Sequence, residues 1–118
     1  MTELAPFLNR VDYLNDTAAQ IAKDFRIAGI EIHYSGNLQN AYVELFEQIL
    51  PHIDEILKGN FQEFYNLMYR IDISEAQIKK AVKESIDKSF SETVTDQILK
   101  RELLKVVIRK QISEGKEL

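Results

Sequence analysis

Leu103–Ile108 reads LLKVVI, six residues whose β-branched content suits a strand but whose surroundings suit a helix. The choice decides the fold class. The run lies in a long segment without glycine or proline, and no comparable stretch exists to pair with it, so a strand would leave its backbone polar groups unmet. It is therefore read as part of a final helix. Ser91 or Thr93 is expected to cap that helix after a connection over Ser89–Thr93 pinned by Phe90, and the helix is expected to last to about Ser113, before Gly115.

Upstream of this helix the apolar residues also recur at helical spacing. Phe7, Val11, Leu14, Ala18, Ile21, Phe25 and Ala28 alternate steps of four and three, which predicts a helix from about Pro6 to about Ala28, closed by Gly29. Leu38, Tyr42, Leu45, Ile49, Ile53 and Ile56 predict a second helix, capped by Asn37 and ended by Gly59. Pro51 lies inside it without breaking the apolar phase, so a kink at Pro51 is expected rather than an end. Asn60 with Glu63, and Ser74 with Gln77, stand at capping-box spacing. They open a short aromatic helix ending before Asp72 and a fourth helix carrying Ile78, Ala81, Val82 and Ile86. The expected fold class is all-α, a single-domain helical bundle of four to five helices over residues 1–118, with helix two kinked at Pro51.

Composition agrees with an ordinary globular domain. The 118 residues are 45% hydrophobic and 29% charged, with four glycines and two prolines, which argues against disorder and low-complexity repeats. The absence of cysteine rules out disulfides, thiolate metal sites and cysteine nucleophiles, and a reducing cytoplasmic setting is expected. MTELAPFLNR lacks the basic start and apolar run of a signal peptide, and no stretch is apolar enough to span a membrane, so no membrane partner is expected. The net charge of −4 is unevenly placed: residues 1–75 carry 5 basic and 12 acidic side chains, residues 76–118 carry 10 and 7. Complementarity between the two halves explains this more simply than a nucleic-acid surface, since acids interleave with the bases.

Four groups of residues have the composition of possible sites. The stretch GIEIHYSGN, Gly29–Asn37, holds His33 beside Tyr34 and Ser35, but alternating apolar and polar residues describe a corner between helices. His52 lies near Glu44, Glu47, Asp54 and Glu55, yet the ligand spacing of a di-iron bundle or a zinc helix is missing, so neither a metal nor any other cofactor is expected. Phe61, Phe64, Tyr65, Met68 and Tyr69 are core-like at helical spacing, and could also line a ligand pocket built from Tyr65, Tyr69, Arg70 and His33. Lys100, Arg101, Lys105, Arg109 and Lys110 form the densest positive run but lack stacking aromatics and a helix-turn-helix signature, so nucleic acid is not the expected partner.

The final helix supplies the functional expectation. On a helical wheel Leu99, Leu103, Val106 and Val107 form one apolar face, and Val94, Leu104, Ile108 and Ile112 form another. A second apolar face requires either a central position or another chain. Val94, Leu104, Ile108 and Ile112 are therefore the expected interface of a homodimer or another protein partner. The expected function is a non-catalytic, self-associating or protein-binding module, and the alternative is a small-molecule or enzymatic bundle using the region Tyr65 to Asp72.

Overall fold

A computed structural model describes residues 10–115, and among them five α-helices and no strand are found. They are α1 (Val11–Ile27), α2 (Ala41–Gly59), α3 (Phe61–Ile71), α4 (Glu75–Glu84) and α5 (Phe90–Ser113), with one 3-10 turn at Leu38–Asn40. The LLKVVI stretch is helical throughout, as its flanks require. One all-α domain results.

The ends of the helices follow local chemistry. At the end of α1 the Ile30 N–H donates to the Phe25 carbonyl at 2.9 Å and the Gly29 N–H to that of Arg26 at 2.9 Å, with Gly29 at φ +82°. This is a Schellman closure, and it folds Ile30 back over Phe25. The start of α1 differs from expectation, because Arg10 is extended and the helix begins at Val11; the expected first-turn residue Pro6 lies outside the described residues. α2 passes through Pro51 without ending, and Ile49, Ile53 and Ile56 stay on its buried side. Its start also moves: Asn37 Oδ1 accepts from the Gln39 N–H at 3.1 Å, an Asx turn that feeds the 3-10 turn before Ala41.

Ser74 and Gln77 close the expected capping box on α4. The box on α5, however, is made by Ser89 and Glu92, so neither Ser91 nor Thr93 is the cap. Glu92 decides it, since of the three candidates only Ser89 has a glutamate three residues on, long enough to return the hydrogen bond to the cap's own N–H. The helix thereby gains a first turn that includes Phe90.

α5 lies at the centre and packs against α1, α2, α3 and α4. The main core joins Ile21 and Phe25 of α1, Leu45, Ile49 and Ile53 of α2, Leu67 and Ile71 of α3, and Val94, Ile98 and Leu99 of α5. A smaller cluster of Tyr13, Leu103, Val106 and Val107 ties α1 to the second half of α5. This central place corrects one expectation: Val94 is 0% exposed in the core and cannot face a partner. Leu104 and Ile108 are half-buried, and only Ile112 of that expected face stands in solvent, at 64%. The second apolar side of α5 is thus covered at Val94, partly covered at Leu104 and Ile108, and open at Ile112.

Ser89→Ala should lower stability by about 1 kcal/mol, whereas Ser91→Ala should stay within about 0.5 kcal/mol of the parent, as read from urea midpoints. The reverse order would place the cap where the sequence alone suggested.

Candidate functional site

α3 has apolar side chains on most of its circumference, and the fold covers only part of them. Phe64, Leu67 and Met68 are buried, while Phe61, Tyr65 and Tyr69 stand out, Tyr69 at 89% exposure. The chain then turns at Asp72, whose left-handed φ of +70° is one that aspartate tolerates better than most residues. The turn lets the Ile73 N–H reach the Met68 carbonyl at 3.0 Å and sends Ile73 inward. Arg101 of α5 holds Asp72 by an ion pair of 2.6 Å, which anchors this turn to the central helix. α4 leaves the turn beside α3, and the space between them is a groove.

The groove has a volume of about 610 Å³. Phe64, Met68, Ile73 and Ile78 form its floor, Phe61, Tyr65 and Tyr69 one lip, and Leu57 and Phe90 extend its apolar wall. Its polar lining is limited to Asn66, Glu75 and Lys79, the last two paired at 3.2 Å. Phe64 meets the Phe90 ring at 6.3 Å between centroids and Tyr65 at 5.9 Å, so the wall is a continuous aromatic surface. Such a surface binds by burying apolar area, and the one carboxylate and one ammonium in its lining are paired with each other.

The expected pocket of Tyr65, Tyr69, Arg70 and His33 is not assembled as one site. Tyr65 and Tyr69 line the groove, but Arg70 follows Tyr69 by a single step of about 100° around the helix, which turns it out of the groove. There it borders a second cavity of about 430 Å³ with His52, Glu55, Glu63 and Asn66. His33 borders neither. It stands exposed on the connection between α1 and α2, where Gln48 Oε1 accepts from its backbone N–H at 2.9 Å and Gln48 Nε2 donates to its carbonyl at 2.5 Å. Glu44 binds Ser35 through the backbone N–H and the hydroxyl, both at 2.7 Å, and Ile32 is buried. Gly29–Asn37 is thus a corner strapped to α2. Among the described residues, no three His, Asp or Glu side chains are grouped to hold a metal ion.

The basic run on α5 is occupied within the molecule. Lys100 pairs with Asp96 at 2.9 Å, Arg101 with Asp72, Lys110 with Asp16 at 2.8 Å, and Arg109 donates to Gln20 at 3.1 Å. Asp96 is also bound by the Tyr42 hydroxyl. Burial alone would raise Asp96, but the hydrogen bonds from Tyr42 and Lys100 outweigh it and hold the carboxyl below its usual range. Burial and the Asp96 partner push the Tyr42 phenol up.

Lys105 bridges two carboxyl groups between α1 and α5. Its ammonium lies 3.2 Å from Asp24 Oδ2 and 2.5 Å from Glu102 Oε1. Glu102 is 0% exposed, and apart from the Lys105 ion pair neither of its carboxyl oxygens has a hydrogen-bond donor, so its charge would be poorly supported. Burial, then the hydrogen bond to Asp24, push Glu102 up to about 8 despite Lys105. Burial raises Asp24 as well, but hydrogen bonds with Glu102, Gln20 and Lys105 bring it below its usual value. Burial and the neighbouring Asp24 carboxyl thus favour the neutral form of Glu102, while Asp24 is favoured as the charged member of the pair.

Compared with known proteins, the chain matches no family model, no curated protein and no solved structure.

Glu102 gives the fold a pH dependence of definite sign. Between its free value of 4.5 and about 8 the unfolded chain has lost a proton that the folded chain keeps, so stability falls as pH rises through that window. Asp24 acts oppositely, and its contribution is lost as pH falls through its lowered value. Glu102→Gln, which keeps a donor toward Asp24, should raise the urea midpoint at pH 8 and change it little at pH 5. An equal effect at both would show that Glu102 does not carry this proton.

Proposed function

We propose that this chain is a non-catalytic protein-interaction module whose binding surface is the groove between α3 and α4. One observation carries the reading: exposed large apolar side chains are concentrated there. Phe61, Tyr65, Tyr69 and Phe90, all lining the groove, are four of the eleven such residues that stand exposed among the described ones, and they include four of the five that are aromatic and the most exposed tyrosine. Scattered apolar residues on a surface need no explanation, but a contiguous aromatic patch around a hollow is the usual form of a docking site. The lack of converging polar groups in the groove supports binding over catalysis.

A small apolar ligand is the second reading, favoured by a volume within the range of ligand cavities, ~300 to 1,000 Å³. That reading requires a bound compound to accompany the purified protein. Native mass spectrometry separates the two, since the interaction reading expects the bare chain of 13.7 kDa or multiples of it.

The apolar dye anilinonaphthalenesulfonate tests whether the groove is an open docking surface. Dilute folded protein should bind it saturably, and the Tyr65→Ser/Tyr69→Ser variant should bind it several-fold more weakly with unchanged helical circular dichroism. Absence of dye binding to the dilute native protein would end the proposal.

A further inference from the structure

We propose that the α3–α4 groove is closed by a second copy of this chain, in a two-fold pairing where each protomer's Tyr69 ridge enters the other's groove. This rests on reading the groove as a docking surface and names its occupant. A two-fold contact matches one patch to itself, so the patch must carry a protrusion and a hollow side by side. The α3–α4 face carries both: Tyr69, 89% exposed, and Tyr65 beside it, on the lip of a hollow of about 610 Å³.

Charge favours the same occupant. Two chains of net charge −4 repel each other in general, yet the charged lining of this groove is one carboxylate and one ammonium, Glu75 and Lys79. Both are exposed on one face of α4, a turn apart. In a two-fold pairing Glu75 of one copy opposes Lys79 of the other, and Lys79 opposes Glu75, so both contacts join unlike charges. A stable pair hides ~800 Å² per partner around an apolar centre, which calls for large apolar side chains that stand exposed together. The apolar groups that would fill the centre of such an area are already gathered on this face.

Sedimentation equilibrium from micromolar to near-millimolar concentration tests the pairing. The wild type should pass from 13.7 kDa to twice that mass, with dye binding falling as the pair forms. Tyr69→Lys should remain monomeric with its helicity intact. Glu75→Lys and Lys79→Glu should each associate at least about tenfold more weakly, because each alone sets like charges against one another. An equimolar mixture of the two should recover the wild-type affinity, since unlike charges then meet across the dyad while the pair within each chain stays broken. A mixture no tighter than its components would overturn the two-fold contact. A wild type that stays monomeric throughout would overturn the second copy as occupant; persistent dye binding by that monomer, lost in the tyrosine variant, would leave the docking surface standing for another partner.

Discussion

Every other helix of this domain leans on α5, and the constraint this places on α5 organises the molecule. A helix covered on several sides must be apolar on several sides, and Val94, Ile98, Leu99, Leu103, Val106 and Val107 surround its axis. Fully burying such side chains is worth ~1.5 to 3 kcal/mol each, so this one helix supplies a large share of the driving force. The same burial traps polar groups, each of which then needs a partner. Thr95 donates from its hydroxyl to the Ser91 carbonyl at 2.8 Å, Asp96 is held by Tyr42 and Lys100, and Glu102 keeps a proton because its surroundings cannot support its charge.

The uneven charge of the chain follows from the same centre. The acidic half of the sequence contains α1, α2 and α3, and the basic half contains α5, so assembling the bundle brings Asp24 to Lys105, Asp16 to Lys110 and Asp72 to Arg101. Partly exposed pairs of this kind contribute ~0 to 1 kcal/mol apiece, far less than the apolar contacts beneath them. Their effect is on register. Lys110 with Asp16 and Lys105 with Asp24 lie at successive levels along α1 and α5, and a shift of either helix by one turn would set apolar groups against charges.

Much of this was legible in the sequence where a signal is local. Helical phase located all five helices, and the Ser74/Gln77 box and the Gly29 closure depend on residues only a few positions apart. What was not legible required knowing what lies opposite. The spacing of Val94, Leu104, Ile108 and Ile112 shows that α5 has a second apolar side, but not that Val94 sits in the chain's own core while Ile112 stays exposed. The candidate site divides in the same way. Tyr65 and Tyr69 were found by their helical repeat, whereas Ile73, Ile78 and Phe90 join them only through a turn and a helix start that pair spacing cannot place. Arg70 was grouped with Tyr69 because they are adjacent in the chain, and adjacency on a helix is separation in space.

Why the groove stays open is a question of helix supply. α3 commits Leu67, Met68 and Ile71 to the core, and α4, only ten residues long, commits Ile78 and Ala81 and packs chiefly on α5. Neither has a further helix of the chain laid over its remaining face among the described residues. Closing that face within one chain would take another amphipathic helix, and the aromatic groups would then need no lysine, glutamate or hydroxyl at their edge. The lip instead combines aromatic rings with two tyrosine hydroxyls and one ion pair, groups that tolerate water when the surface is free and still pack when it is covered. That amphipathic chemistry suits a face that stands in water, where a purely aliphatic one would not.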